Sequence, residues 1–353
     1  FTTGVKFAIT KATSTITLSK TTLSINKGSS DTVTVTYNGD GTLSVSSSAT
    51  GVATATISGS TITIKGVSAG TATITVSATA GTNYNAPTSK TITVTVYDKP
   101  TAPTITVKNA SGSTITSGTW ATSNLSITIS GGTIQGAGEI GYKYSYNGST
   151  WYVYNGAIAY TTDTKEAVIY AKAYNKSSET MESESVTYTI KLDKVAPTLG
   201  TVTTTATTST ITLKVTGATD ATSGIKEYEF YVDGVLKATQ TSATYTFTGL
   251  TADKSYEVGY KIRDNAGNVT ALNTKTQSTN AISGTIVLTP STTEWTNGNV
   301  IVTIEWPDIT LTKQIKVGDG AWQNYSNTSY EITENTTIYA RLTDGQNTGA
   351  NAQ

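Results

Sequence analysis

Apolar and polar side chains alternate with a period of two along most of the chain. Val33, Val35 and Tyr37 alternate with threonines, and the same spacing recurs at Ile62 and Ile64 and in later segments. Glycine and asparagine, which tolerate positive φ, follow these runs at intervals of about 8–12 residues. Short alternating runs separated by turns predict antiparallel strands with one buried face. The expected fold class is therefore all-β, with several β-sandwiches in tandem.

Two proline-containing segments mark boundaries between the predicted domains. They are Asp98–Pro103 and Asp193–Thr198. Proline fixes φ and lacks an N–H donor, so a sheet is expected to end at each segment and the link to be fairly stiff. We predict four sandwiches forming an elongated rod, at residues 13–99, 100–194, 195–280 and 281–353, preceded by a terminal segment at residues 1–12.

The second and fourth predicted domains are copies of one another. In each, a tryptophan precedes an alternating apolar strand, and an aromatic turn and a second strand follow. The matching residues are Trp120 with Leu125, Ile127 and Ile129, against Trp295 with Val300, Val302 and Ile304; Gly148–Tyr154 against Gly320–Tyr325; and Val168–Lys172 against Thr337–Arg341. Repeats at this spacing indicate stacked modules. The pattern resembles Ig-like repeats of bacterial cell-surface proteins.

The first and third domains carry other resemblances. Val52–Ala55 and Ile64–Val76 resemble the group 2 bacterial Ig-like domain, a family of bacterial surface adhesins and phage virion proteins. The third domain resembles fibronectin type III. Leu250 and Tyr256 have the spacing of the tyrosine corner, whose phenol bonds to backbone, and Val215 stands where many members carry a core tryptophan. These resemblances imply an extracellular, structural protein.

The fourth domain has no counterpart of the last strand of the second. Glu184–Asp193 is a clear alternating strand, whereas Asp344–Gln353 is polar and contains glycine. The first residues of the chain supply the missing pattern, with Val5, Phe7 and Ile9 in the places of Val186, Tyr188 and Ile190. We therefore predict donor-strand complementation, in which the first strand of one copy completes the fourth domain of its neighbour and builds a head-to-tail homopolymer.

Six aromatic residues in the two copies have two interpretations. They either fill and cap the sandwich cores or form stacking platforms for cell-surface glycans or protein partners. The residues are Trp120, Trp151, Tyr154, Trp295, Trp322 and Tyr325. Recurrence of the pattern in both copies favours the core interpretation.

Oxygen-bearing residues of the third domain also have two interpretations. Asp220, Asp264 and Asn268, with Asn265 beside them, are candidate Ca²⁺ ligands at one end of the domain, and turn chemistry explains the same residues without a metal. A Lys–Asn isopeptide crosslink, known in related surface domains, would need a buried carboxylate that the sequence does not locate. No other cofactor is expected.

Composition narrows the functional classes. The chain has no histidine and no cysteine, which removes the usual acid–base catalyst, thiol nucleophiles and disulfides. Its formal net charge is zero, so a nucleic-acid partner is not expected, and no apolar run approaches the roughly 20 residues of a membrane span. We expect no enzymatic activity. The predicted function is a subunit of a bacterial extracellular filament or an adhesin stalk, and a phage tail or capsid fibre or an excised fragment of a longer adhesin are the alternatives.

Overall fold

The computed structural model describes residues 9–353 and confirms the all-β prediction. Regular structure in this range consists of strands that form β-sandwiches. Two compact units divide the chain, Phe1–Leu192 and Asp193–Gln353, and each contains two sandwiches. Among the described residues, no helix has the length and apolar character that crossing a membrane requires.

Two four-stranded sheets form the first sandwich. The strands are β1 (Ile16–Leu18), β2 (Thr22–Asn26), β3 (Ser30–Tyr37), β4 (Leu43–Ser47), β5 (Ala53–Ser58), β6 (Thr61–Gly66), β7 (Gly70–Ala78) and β8 (Lys90–Tyr97). Their orders are β1-β3-β6-β5 and β2-β8-β7-β4, with β2 parallel to β8. The alternation seen in the sequence puts Ala72, Ile74 and Val76 of β7 in the core.

The second sandwich has a long central strand and, paired with it, a closing strand. Its strands are β9 (Thr104–Asn109), β10 (Trp120–Ala121), β11 (Leu125–Ser130), β12 (Ile140–Ser145), β13 (Tyr152–Val153), β14 (Ile158–Tyr160), β15 (Thr164–Asn175), β16 (Ser178–Glu182) and β17 (Val186–Leu192). One sheet has the order β14-β11-β9 and the other β10-β17-β15-β12-β13, with β16 also pairing with β15. Ile190 and Leu192 of β17 are completely buried among residues such as Leu125 and Ile127.

The third sandwich contains the predicted tyrosine corner. Its strands are β18 (Thr201–Ala206), β19 (Ile211–Thr216), β20 (Ile225–Val232), β21 (Val235–Gln240), β22 (Thr244–Phe247), β23 (Ser255–Asp264) and β24 (Asn273–Ser278), in sheets β18-β19-β22 and β21-β20-β23-β24. The Tyr256 hydroxyl accepts a hydrogen bond from the Thr251 N–H at 2.8 Å, and Leu250 packs in the core. Val215 is also buried, where it occupies the inward position without a tryptophan.

Two three-stranded sheets form the fourth sandwich. The strands are β25 (Val287–Pro290), β26 (Val300–Glu305), β27 (Thr312–Val317), β28 (Gln323–Asn324), β29 (Ser329–Ile332) and β30 (Ile338–Thr343), in the orders β25-β26-β29 and β28-β27-β30. β27, β28 and β30 repeat the pairing of β12, β13 and β15. Within the described residues this sandwich has no counterpart of β10 or β17.

The end of the chain changes one part of the strand-donation hypothesis. Ala352 exchanges two backbone hydrogen bonds with Ala340, both at 2.9 Å. In the second sandwich the corresponding pair is Val186 with Ala171. In the described fourth sandwich the chain's own Ala352 therefore pairs where the strand-donation hypothesis places Val5, and the donor strand itself stays a prediction.

The other residues of that hypothesis lie at the start of the chain. Val5 and Phe7 lie outside the described residues. Ile9 is described and is 98% exposed, so it does not pack on the first sandwich. Contact with that sandwich is made at Ala12, whose N–H donates to the Asn83 carbonyl at 2.9 Å.

Candidate functional site

Three asparagines at the end of β15 or in the turns after β23 and β30 bond to the chain that leads into their sandwich or to the preceding sandwich. We call them the junction asparagines: Asn175, Asn268 and Asn347. The first, Asn175, is completely buried at the end of β15, and its side-chain amide donates to the carbonyls of Asp98 and Ala137 at 3.4 and 3.2 Å. Buried amides need such partners. Asn175 therefore fixes the Asp98–Pro103 linker to the second sandwich.

Charged and polar contacts reinforce the junction between the first and second sandwiches. Lys27 forms an ion pair with Asp98 at 2.7 Å, and Asn26 bonds to Ser178 and Thr180 at 2.7 and 3.0 Å. Partial burial disfavours the charged carboxylate, but the hydrogen bonds from Lys27 and the Lys99 N–H outweigh it and lower the pKa of Asp98. Because Pro100 is buried as well, this linker is a packed segment.

The second junction asparagine lies in the turn after β23. Asn268 donates from its side-chain nitrogen to the carbonyls of Asp193 and Val195, at 3.0 and 3.4 Å. Asp264 shapes this turn, because its Oδ1 accepts the N–H groups of Gly267 and Asn268 at 2.6 and 2.8 Å. The incoming segment Asp193–Val195 is thereby fixed to the third sandwich.

The third junction asparagine joins the fourth sandwich to the third. Asn347 donates to the carbonyls of Leu250 and Thr208, at 3.0 and 3.4 Å. Asp344 shapes the turn and also accepts a hydrogen bond from the Thr208 hydroxyl. Although partial burial opposes it, the hydrogen bonds from Thr208 and from the backbone lower the pKa of Asp344 to about 2. This carboxylate is therefore charged at neutral pH.

Two of the three predicted calcium ligands lie together, and a third carboxylate joins them. Oxygens of Asp193, Asp220 and Asp264 lie within 4.8 Å of one another, and Asp193 and Asp264 are completely buried. Like charges this close repel each other, and carboxylate oxygens are the ligands that Ca²⁺ prefers. The donor set therefore fits calcium chemically, and the calcium site stays a prediction.

The observed carboxylate cluster differs from the predicted set of ligands, because it contains Asp193 and not Asn268. Asn268 presents its amide nitrogen, which donates to Asp264 at 2.8 Å, so its side chain serves the junction. Asp193 was missed because 71 residues separate it from Asp264. The sequence does contain one feature that draws attention to Asp193. An Asp-Lys pair begins both linkers, at Asp98-Lys99 and at Asp193-Lys194.

The aromatic residues of the two copies lie mostly outside the cores. Trp151 is half-buried with the Lys172 ammonium 4.3 Å from its ring centroid, and Trp322 has the Arg341 guanidinium at 4.0 Å. The interpretation that one tryptophan per copy fills the core is wrong for this pair, because each ring lies against a cation on a sheet surface. Tyr325 does pack against the fourth core.

The remaining aromatic residues differ in their surroundings. Tyr154 packs edge-on against Tyr142, and Trp120 is half-buried with the Lys191 ammonium 5.9 Å from its ring centroid. Trp295, the counterpart of Trp120, is 98% exposed. It is not a core residue, because the strand that would pair with it is absent from the described fourth sandwich.

Trp295 borders a cleft where the fourth sandwich lacks a strand. We call it the strand cleft: about 380 Å³ between residues 292–298, strand β26 and the end of strand β29. Val300, Val302 and Ile332 form its apolar floor. The counterparts of Val300 and Val302 are Leu125 and Ile127, which belong to the same core as Ile190 and Leu192 of β17. The cleft therefore corresponds to the place that β17 occupies in the second sandwich.

A further titratable cluster lies on a sheet face of the third sandwich. Arg263 pairs with Glu229 and Glu227 at 2.7 and 3.2 Å, and the Tyr231 hydroxyl donates to Glu229 at 2.6 Å. This hydrogen bond to a carboxylate raises the pKa of Tyr231 to about 12. Every member has a partner within the cluster, so its role is to stabilise the sheet.

Comparison with known proteins yields partial matches, and no family model matches the chain. The chain is 31% identical to Exoglucanase B of Cellulomonas fimi over 243 residues, which cover 62% of this chain and 21% of the exoglucanase. It is 44% identical to Chitinase A1 of Niallia circulans over 81 residues, covering 22% of this chain and 11% of the chitinase. The chain thus spans a small part of these relatives.

Similar solved structures also consist of tandem domains. Domains A168–A170 of titin match at 12% identity with a TM-score of 0.38, covering 75% of this chain and 99% of theirs. The fibronectin(III)-like modules of Clostridium thermocellum CbhA match at 12% identity with a TM-score of 0.28, covering 50% of this chain and 94% of theirs. Assignment of the sandwiches to named bacterial Ig-like families stays a prediction.

Proposed function

We propose that this chain is a non-catalytic run of extracellular modules that holds other parts of a secreted or surface-attached bacterial protein at a fixed separation. The observation that carries the proposal is the recurrence of a junction asparagine at the end of β15 and in the turns after β23 and β30. The side-chain amide of each one donates hydrogen bonds to backbone carbonyls, either of the chain that leads into its sandwich or of the preceding sandwich. Fixed junctions are what a spacer or stalk needs.

The relatives support the same role. Both are named as polysaccharide-degrading enzymes, and the matched segments form a minor part of each. Such a segment suits a connecting module of a secreted enzyme as well as an adhesin stalk. A homopolymer built from these modules is the more specific hypothesis, and the strand cleft is the feature that favours it.

The spacer proposal is tested by measuring the distance between two sandwiches within one unit. The chain has no cysteine, so fluorophores can be attached at Lys237→Cys and Asp319→Cys, two exposed positions in the third and fourth sandwiches. We expect a narrow distance distribution by single-molecule energy transfer. Asn347→Ala should broaden it, and Asn327→Ala, at an exposed asparagine away from the junction and the strand cleft, should not. Equal widths in all three proteins would refute the proposal.

Glycan binding is the second candidate, favoured by an aromatic surface on the second sandwich. Tyr146 and Tyr152 are 49% and 48% exposed, and their ring centroids lie 5.6 and 5.5 Å from that of Tyr144. Exposed aromatic faces can stack on sugar rings. Sedimentation with insoluble cellulose and chitin decides between the two functions. A spacer stays in the supernatant, whereas retention that Tyr152→Ala abolishes would establish a binding module.

A further inference from the structure

The strand cleft corresponds to the place that one β-strand, β17, occupies in the second sandwich. Its floor is apolar, with Val300, Val302 and Ile332, and Trp295 stands at its border fully exposed. In the second sandwich, the counterpart of Trp295 forms strand β10, which pairs in parallel with Lys191 and Leu192 of β17. A strand bound in the cleft would therefore cover its apolar floor and would also give the backbone of Trp295 a strand to pair with.

The edge of β30 supplies the hydrogen-bonding groups for such a strand. β30 pairs with β27 on one side, and on its other side Ala352 pairs with Ala340. The corresponding edge of β15 pairs with β17 from Ala171 to Thr164. In the described part of the fourth sandwich, no strand continues this pairing past Ala352 toward Ile338. Unpaired edge groups beside an apolar cleft are what strand addition uses.

We propose that residues 4–10 of a second copy of this chain bind in the strand cleft, antiparallel to β30. This inference goes beyond the spacer function. The register follows from Ala352: because it holds the place of Val186, the next inward places are those of Tyr188, Ile190 and Leu192. Val5, Phe7 and Ile9 have the same spacing and would take the places of Tyr188, Ile190 and Leu192, in that order. Each is thus shifted by two residues from the register in which Val5 replaces Val186.

The start of the chain is suited to this role. Ile9, a described residue of this segment, is 98% exposed, and residues 1–8 lie outside the described part of the chain. The first sandwich has its core without Ile9. Donor and acceptor surfaces differ, so the contact is heterologous, and each added copy would expose a new cleft.

The experiment compares the full chain with a form that lacks residues 1–11. We expect the full chain to form concentration-dependent oligomers in sedimentation velocity, and the truncated form and Phe7→Ser to remain monomeric. Phe7→Ser tests the donor without truncation. A synthetic peptide of residues 1–11, added to the truncated form, should bind and shift the emission of Trp295, with the Trp295→Phe protein as the control for that signal.

Two control peptides complete the test. A peptide with serine at positions 5, 7 and 9 should bind at least tenfold more weakly than the native one. A peptide of Ser185–Leu192 tests the cleft with the natural closing strand of the second sandwich. If that peptide binds and the 1–11 peptide does not, the occupant is wrong and the proposal fails. Monomeric full chain with no peptide binding also overturns it, and neither result changes the distance measurement that tests the spacer function.

Discussion

The second and fourth sandwiches share one sequence pattern and differ by one strand. Each places a cation over its turn tryptophan and repeats the same three-stranded pairing. The main cluster of buried apolar residues has eight members in the second sandwich and five in the fourth, among the described residues. The closing strand β17 accounts for three of the eight, Tyr188, Ile190 and Leu192. One closing strand thus supplies much of the core of a small sandwich.

The same comparison shows that the closing strand also orders its neighbour. Trp120 and Ala121 form β10 only through pairing with β17, and Ala121 is buried there. Trp295 has the same sequence context without that partner and is fully exposed. Burial of this tryptophan is therefore decided by a strand about 70 residues away and not by its local sequence.

The largest expected effect comes from giving the fourth sandwich a closing strand. Appending the sequence of Tyr188–Leu192 after Gln353, which continues the register set by Ala352, should bury three apolar side chains, each worth about 1.5–3 kcal/mol before the cost of ordering the strand. The melting temperature of the fourth sandwich should rise by several degrees in calorimetry. The matched control carries serine at the three inward positions. An equal gain with both sequences would mean that the cleft is not the place of β17.

Calcium is expected to stabilise the third sandwich through the turn at Asp264 and to have no such effect through the turn at Asp344 in the fourth. Asp264 lies beside two further carboxylates, whereas Asp344 bonds to Thr208 and to its own turn. At a Ca²⁺ concentration 100 times the dissociation constant, the free energy of unfolding should rise by about 2.7 kcal/mol. Asp220→Asn should remove this gain and Asp344→Asn should keep it. Identical melting curves in calcium and in a chelator would contradict the site.

Acid is expected to weaken the junction of the fourth sandwich. The pKa of Asp344 is about 2 in the folded chain, below its ordinary value of 3.8. Its stabilisation is therefore complete above pH 3.8 and is lost as the pH falls toward 2, and it amounts to on the order of 1–2 kcal/mol. In urea unfolding, Asp344→Asn should be less stable than the wild type at pH 7 and nearly equal to it at pH 2. If Asp344→Asn is still less stable than the wild type at pH 2, the loss of stability comes from packing and not from the charge of Asp344.

The smallest effect concerns the feature that the two copies share. A double-mutant cycle on Arg341 and Trp322 should give a coupling of about 0.5–1 kcal/mol, the usual value for a cation over an aromatic ring near the surface. The cycle on Lys172 and Trp151 should give a similar value, because its distance is 4.3 Å against 4.0 Å. Zero coupling in both would show that these rings are held by the sheet alone.

The fold could be predicted because it depends on local alternation. Ile74 and Val76 face inward since every second residue of a strand shares a face, and no distant contact is needed to infer that. The tyrosine corner could also be recognised, because Leu250 and Tyr256 lie in one short segment.

The sites depended on distant contacts and were predicted only in part. Asp193 joins Asp264 through the path of the linker, which the spacing of neighbouring residues does not encode. The direction in which the Asn268 amide points depends on carbonyls of that same linker. Ala352 pairs with Ala340 although the surrounding residues are polar, because the pairing uses backbone groups alone.

The fit between Asn175 and the first linker bears on how such arrays evolve. Gly136, at φ +73°, lies so close to Gly70 that a β-carbon would come within 2.8 Å of its nitrogen. A neighbour exchanged by gene recombination would lose this complementary surface and one of the two acceptors of the buried Asn175 amide, the Asp98 carbonyl, at a cost of about 1–3 kcal/mol. We therefore expect the first two modules to be inherited as a pair, with shuffling confined to breakpoints outside residues 13–192.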